Sequence, residues 1–170
     1  MSKTIASMLL CCVLFFVACK GSDKKDKLAS YVSKNENGLT KKISSGSTEI
    51  VSQLVPDESG GDLYKFMVYV NTTRDKMSDS VLYYFNYRSA DYFRLVSGKD
   101  TLQPVLSERV ANGRREINQF TVLFDMNGKE KLHDSFSLVF LGNKLFSDSL
   151  AFHYALTDIK KASKSLYGYE

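Results

Sequence analysis

Between residues 50 and 156 the chain repeats one pattern, in which short segments of alternating apolar and polar residues are separated by turn-forming residues. Alternation with a period of two is typical of a β-strand with one buried face and one face in water. The pattern therefore predicts a series of short strands. These are 50–55, 64–70, 81–87, 92–96, 101–102, 119–126, 135–140 and 149–156.

Turn-forming residues lie between these segments and predict antiparallel connections. They are Pro56, Gly60-Gly61, Ser97-Gly98-Lys99-Asp100, Asn112-Gly113, Asn127-Gly128 and Gly142-Asn143. Short strands at regular spacing, with no long helical pattern, predict an all-β antiparallel sandwich or barrel, and an immunoglobulin-like sandwich is the first choice. Only 28–31 and 159–166 have the pattern of short helical turns.

The first 18 residues have a different pattern. Lys3 precedes an apolar run from Ile5 to Ala18 that only Ser7 interrupts. This run is shorter than the roughly 20 residues that a membrane-spanning helix needs, and its basic flank is typical of a secretory signal. We therefore expect residues 1–18 to be a signal peptide.

The end of that run matches the cleavage motif of bacterial lipoproteins. Phe16-Val17-Ala18-Cys19 supplies an apolar residue, a free position, a small residue and a cysteine, and the chain turns polar at Lys20. In such proteins the thiol is alkylated by a diacylglyceryl group before cleavage on the amino side of the cysteine. Two acyl chains anchor a protein stably, at about 0.8 kcal/mol per buried methylene. We expect Cys19 to be lipidated and to hold the protein on a membrane.

The positions of the cysteines exclude several kinds of site from the part of the chain that follows Cys19. All three cysteines lie at or before Cys19, so the mature chain has no disulfide, thiol nucleophile or thiolate metal site. Residues 19–40 are polar and rich in charge, which predicts a flexible tether. Contact of its lysines with anionic headgroups is the less favoured alternative, because acids interrupt the basic run. Residues 41–170 then form a single domain that must be stabilised by its apolar core.

No catalytic or metal-binding pattern stands out. The two histidines, His133 and His153, have no ligand partner at zinc-site spacing. The acidic cluster around Gly60-Gly61 lacks the ordered spacing of a calcium loop. Nucleotide-binding loops and a serine-nucleophile elbow are missing. The sequence predicts no cofactor, no metal and no enzymatic activity.

Aromatic residues crowd two neighbouring predicted strands, and alternation requires some of them to point outward. The candidate binding surface consists of Tyr83, Tyr84, Tyr87 and Tyr92. Cleavage removes only Lys3 from the charged residues and leaves 22 basic and 19 acidic ones. Neither that balance nor the basic clusters around Arg114 and Lys160 indicate nucleic-acid binding.

Residues 37 to 160 resemble a family of small, uncharacterised lipoproteins of Bacteroidota. The similarity lies in Asn37-Gly38-Leu39, Tyr83-Tyr84-Phe85, the segment 95–101 and the Phe152 strand that runs into Ile159. The resemblance implies an outer-membrane address and transfers no catalytic residue. In that group, acidic residues soon after the lipidated cysteine are linked to surface export, and the mixed charge at 20–24 favours the periplasmic side.

Two hypotheses from different classes follow. The first is a non-enzymatic module that binds or scaffolds an envelope protein, and it requires an exposed aromatic or apolar patch. The second is a small-ligand carrier or hydrolase whose site is assembled only in the fold, around His153 or His133. The missing catalytic pattern favours the first.

The lipid anchor gives the first testable prediction. Replacing Cys19 by alanine removes the acylated thiol, so the protein should move from the membrane fraction to the soluble fraction, which immunoblotting after cell fractionation measures. Replacing Cys12 by alanine is the matched control and should leave the distribution unchanged. Membrane association that survives Cys19→Ala would refute the anchor.

Overall fold

The computed structural model describes residues 20–58, 62–72, 78–111, 117–126, 133–142, 145 and 148–168. Residues 1–19, with the proposed cleavage motif and Cys19, lie outside this part, as do Gly60-Gly61, Asn112-Gly113 and Asn127-Gly128. Contacts divide the chain into two units, Met1–Tyr31 and Val32–Glu170. No helix among the described residues is both long enough and apolar enough to cross a membrane.

The described residues contain three α-helices and nine strands. The helices are α1 (Lys20–Ser33), α2 (Asp79–Tyr87) and α3 (Leu156–Tyr167). The strands are β1 (Thr40–Ser45), β2 (Thr48–Val55), β3 (Leu63–Asn71), β4 (Phe93–Ser97), β5 (Asp100–Leu102), β6 (Leu106–Val110), β7 (Ile117–Asp125), β8 (Ser135–Phe140) and β9 (Leu150–Ala155). Short 3-10 turns at Asn35–Asn37 and Ser89–Tyr92 precede β1 and β4.

The strands form two antiparallel sheets, which confirms the predicted sandwich. One sheet has the order β1-β2-β3-β7-β6 and the other β5-β4-β8-β9. With β1 set aside, these orders match the A-B-E-D and C′-C-F-G sheets of an immunoglobulin-like domain. The immunoglobulin-like strand order therefore forms without the inter-sheet disulfide of antibody domains.

The predicted strand faces are also confirmed where the strands exist. Alternate residues of β2, β3, β7 and β8 are buried, and their neighbours are half-buried or exposed. The hairpin predicted at Ser97–Asp100 joins β4 to β5, with Ser97 opposite Asp100. β6 and β7, which follow each other in the chain, pair antiparallel, and the predicted turn at Asn112-Gly113 lies outside the described residues. The sequence pattern did not identify β1 or β6, whose residues are half-buried or exposed.

Two predicted elements are wrong. The segment 81–87 lies in helix α2 and is not a strand. The expected flexible tether at 19–40 is helical from Lys20 to Ser33. Acids and lysines in that stretch recur three or four residues apart, a spacing that supports a helix. The compact unit that contains the sandwich begins at Val32, ahead of the expected boundary at residue 41.

Aromatic rings fill the space between the sheets. Phe120 of one sheet lies 5.7 Å from Phe93 of the other, and Phe66 lies 5.5 Å from Tyr154, with both pairs edge to face. Such pairs contribute about 0.5–1.5 kcal/mol beyond the area they bury. This interlocked core connects the two sheets in a chain whose cysteines all precede the domain.

A buried hydrogen bond also joins the sheets. The Tyr154 hydroxyl on β9 lies 2.7 Å from Ser52 Oγ and donates to the Ser52 carbonyl oxygen at 3.0 Å. This explains why a serine occupies the fully buried face of β2. Burial raises the pKa of Tyr154 far above its ordinary value, and the hydrogen bond to Ser52 offsets only part of that shift.

Gly38 shows why the chain needs glycine before β1. Its φ is +71°, in the left-handed region, and the Asp158 carboxylate occupies the space that a Cβ would need. Gly168, which follows α3, has a similar φ of +77° but open space around it. Alanine at Gly168 would therefore meet only the cost of the left-handed backbone, whereas alanine at Gly38 would also meet a steric clash with Asp158.

This contrast gives the second prediction. Gly168→Ala should lower the free energy of unfolding by about 1 kcal/mol, the cost of a left-handed residue with a Cβ. Gly38→Ala should lower it by more, because the far end of the Asp158 side chain must also move to make room for the Cβ. Urea unfolding of both variants measures the difference. Equal losses would mean that the Asp158 contact is unimportant.

The third prediction concerns Tyr154 and alkaline pH. Its neutral form is favoured in the folded state, so its contribution is complete below the unfolded tyrosine pKa of about 10 and is lost as pH rises above it. Tyr154→Phe should cost about 1–2 kcal/mol at neutral pH, because Ser52 loses its partner. The variant should also lose less stability than the wild type between about pH 9 and 11.

Urea titrations across that pH range test both effects. Tyr64, Tyr69 and Tyr92 also have raised pKa values, chiefly through burial, so the alkaline loss should shrink but not vanish. An unchanged pH dependence in Tyr154→Phe would show that this hydroxyl is not buried in its neutral form.

Candidate functional site

The predicted aromatic surface is presented by helix α2. Ser78 caps the helix, and its hydroxyl accepts a hydrogen bond from the Val81 amide at 3.3 Å. Val81 and Phe85, four residues apart, point inward and are buried. Residues at that spacing share one face of a helix, so the helix keeps Tyr83 and Tyr87 together on its other side.

Phe85 fixes α2 to the sandwich. Its ring lies 4.9 Å from Phe120 of β7 and 5.1 Å from Tyr92, edge to face in both cases. Tyr92 in turn stacks on Phe140 of β8 at 5.5 Å. The helix is thus attached to both sheets through aromatic contacts that are fully out of water.

Three tyrosines form a continuous aromatic row on the outside of α2, which we call the tyrosine face (Tyr83, Tyr84 and Tyr87). The Tyr83 ring lies 5.8 Å from Tyr84 and 5.3 Å from Tyr87. Tyr83 is 54% exposed and Tyr87 is 75% exposed, and they are the aromatic residues with the highest exposed fraction among the described residues. Large aromatic rings left in water are candidates for contact with another molecule.

Tyr92, the fourth predicted surface residue, does not belong to this face. It is 4% exposed and packs among Phe85, Phe140 and the edge of Tyr84. Its pKa is raised by burial first, and also by the neighbouring Tyr84 and Asp91. Tyr92 is therefore part of the base on which the tyrosine face rests.

Polar contacts hold the margin of α2 against the edge strand β6. Arg109 Nη1 donates to Asn86 Oδ1 at 2.6 Å, and the Ser89 hydroxyl donates to the Ser107 carbonyl oxygen at 2.8 Å. Arg88 lies over the Tyr84 ring at 5.5 Å and pairs with Asp91 at 2.7 Å. These contacts surround the tyrosine face with polar groups and partly cover the exposed edge of the sheet.

Some buried polar atoms at this end have no hydrogen-bond partner in the described structure. They are the Tyr92 hydroxyl, Asn71 Oδ1, Ser107 Oγ and both the amide nitrogen and oxygen of Asn118, which is 1% exposed. Each unsatisfied group costs about 1–3 kcal/mol. Departures of this kind concentrate at functional or strained sites, so they agree with a functional assignment for this end of the sandwich.

The two histidines belong to other elements than the tyrosine face, since His153 lies in β9 and His133 precedes β8. His153 Nδ1 lies 2.8 Å from Ser137 Oγ across β8 and β9, on the outer face of the smaller sheet. Within the described residues no acid orients His153, as a serine-nucleophile triad would require. His133 packs over Gly98, and its backbone amide donates to Ser97 Oγ at 2.9 Å.

Sequence reasoning found Tyr83, Tyr84 and Tyr87 but missed Asn86, Arg88 and Arg109, which surround them. The signal for the correct element was present, since Ser78-Asp79 is a helix-start pattern ahead of apolar residues four apart. Among the described residues, no group of three or more His, Cys, Asp or Glu side chains is placed to hold a metal ion.

With this geometry known, the class of the domain is an immunoglobulin-like sandwich that carries an aromatic helix in the connection between its two sheets. Comparison with protein families, with curated proteins and with solved structures finds no match to the chain. The functional assignment therefore depends on the residues and their geometry.

Proposed function

We propose that the protein is a lipid-anchored module of the bacterial cell envelope that binds another envelope protein through the tyrosine face and has no catalytic role. The single observation that carries the proposal is the pair of exposed rings, Tyr83 and Tyr87, in mutual contact on a helix whose opposite side is buried. Rigid tyrosines give large contact area at small entropic cost.

The position of α2 in the fold supports a binding role. It lies in the connection between β3 and β4, which corresponds to the B–C connection of an immunoglobulin-like domain. In variable domains the B–C and F–G connections form the binding end. Loops and connections on a rigid sandwich commonly carry function because the sheets fix their positions.

The energetics also favour this face. A tyrosine buries about 150–250 Å² when it is fully covered. At about 25 cal/mol per Å² of apolar area, two such rings can supply several kcal/mol of a binding free energy. Their present exposure costs part of that energy, and a partner that covers them would recover it.

The address follows from the sequence. Residues 1–19 have the pattern of a lipoprotein signal with its cysteine, and the mixed charge of residues 20–24 favours the periplasmic side of the outer membrane. The resemblance to small lipoproteins of Bacteroidota agrees with that address. The membrane partner of the module is then the lipid on Cys19, and its protein partner is a component of the same envelope.

The fourth prediction tests the function by photo-crosslinking in intact cells that produce the full-length protein. A benzoylphenylalanine at position 87 should give a discrete protein adduct, because that side chain is the most exposed ring of the face. The same probe at Lys161, an exposed position on α3, is the matched control and should give none.

The adduct should weaken at least tenfold when Tyr83 is changed to serine, which corresponds to about 1.4 kcal/mol of binding free energy. Tyr83→Ser should leave the unfolding midpoint nearly unchanged because the side chain is largely exposed. Equal adducts at both positions, or an adduct that is insensitive to Tyr83→Ser, would contradict the proposal.

A further inference from the structure

All three arginines of the described residues fall at the end of the sandwich that carries α2. This end contains the finish of β3, β6 and β8 and the start of β4, β7 and β9, as the pairing of Phe93 with Phe140 and the contact of Phe93 with Phe120 require. The arginines lie in the connections at this end or within two residues of a strand end beside it. They are Arg88, Arg94 and Arg109.

The lysines are distributed differently. Within the described ranges, no lysine belongs to the connections at this end. Arginine and lysine have the same charge, but the guanidinium is planar and presents donors in a fixed fork that matches a carboxylate, whereas the ammonium is a strongly hydrated point charge. The described cationic side chains at this end are therefore planar forks and not ammonium groups.

The described arginines divide into structural and available groups. Arg94 Nη1 donates to the backbone carbonyl oxygens of Ala90 and Phe93, which makes it a structural residue. Arg109 is held by one nitrogen against Asn86, an exposed residue of α2 that directly precedes Tyr87. Its remaining donors lie beside the tyrosine face.

Arg88 lies on the other side of that face. Its guanidinium covers the Tyr84 ring and pairs with Asp91 through Nε, and the side chain is 55% exposed. A guanidinium stacked on an aromatic ring keeps its in-plane donors for other groups. Arg88 and Arg109 therefore place donors at two margins of one aromatic surface.

From this arrangement we infer that the tyrosine face recognises a protein segment rich in carboxylates, with Arg88 and Arg109 binding the acidic groups and Tyr83 and Tyr87 covering the apolar parts beside them. This inference rests on the proposed function, since it names the chemistry of the same partner. Acidic residues such as Asp79 and Asp91 reduce the net charge of this end. Recognition should therefore depend on guanidinium geometry more than on a long-range field.

The test uses the full-length lipidated protein in detergent micelles and a fluorescein-labelled oligoglutamate as the probe, with oligoglutamine as its uncharged counterpart. Anisotropy should show binding of oligoglutamate and none of oligoglutamine. Arg88→Lys with Arg109→Lys keeps every charge but removes both forks, and it should weaken oligoglutamate binding at least tenfold. Lys160→Arg with Lys161→Arg on α3 is the matched control and should change it less than twofold.

Three outcomes would overturn the inference. They are absence of oligoglutamate binding, binding that survives the double Arg→Lys change, and equal or tighter binding of dextran sulfate, which would indicate unspecific attraction to polyanions.

Tyr83→Ser should also weaken oligoglutamate binding, and circular dichroism of each variant shows whether it is folded. If oligoglutamate fails while the adduct at position 87 persists, only this inference fails. If the adduct is missing as well, the proposed function fails with it.

Discussion

The packing of Phe120 against Phe93 and Phe85 is the interaction on which the rest of the structure depends. Phe120 belongs to the five-stranded sheet, Phe93 to the four-stranded sheet and Phe85 to α2. One ring thus joins both sheets and the helix, in a domain that has no cysteine with which to form an inter-sheet disulfide. The buried Tyr154–Ser52 hydrogen bond joins the sheets a second time. The tyrosine face is stable because it is the outer side of this core.

Much of the fold was predictable because burial on one face of a sheet imposes a period of two on the sequence. β7 illustrates this, since every second residue from Asn118 to Phe124 is buried. The hairpin at Gly98 was predictable for a different reason, because its φ of +60° favours glycine. The sandwich class followed from the rhythm of strands and turns. The strand order did not, because the pairing of distant strands such as β3 and β7 leaves no local pattern.

The errors have physical causes. Tyrosine and phenylalanine favour strands, and in 81–87 that preference conceals a helix whose capping Ser78 and docked Phe85 decide the local structure. Burial of Tyr92 follows from tertiary contact with Phe140 and could not be read from the sequence. For the candidate site, the cluster of tyrosines could be predicted because these residues are close together in the sequence. The contact of Arg109 with Asn86 could not, because the two residues are 23 positions apart in the chain. For α1, the high content of charged residues suggested a flexible tether, although their spacing of three or four residues is compatible with a helix.

The central claim is that α2 presents a preformed binding surface held by the aromatic core. Native-state hydrogen exchange tests it most directly. If Phe85 anchors the helix, the amides in its middle, above all that of the buried Phe85, should exchange only through global unfolding and should follow the denaturant dependence of the central strands. Exchange of these amides by local opening, with no denaturant dependence and little protection, would show that α2 is not fixed to the core and would contradict the account.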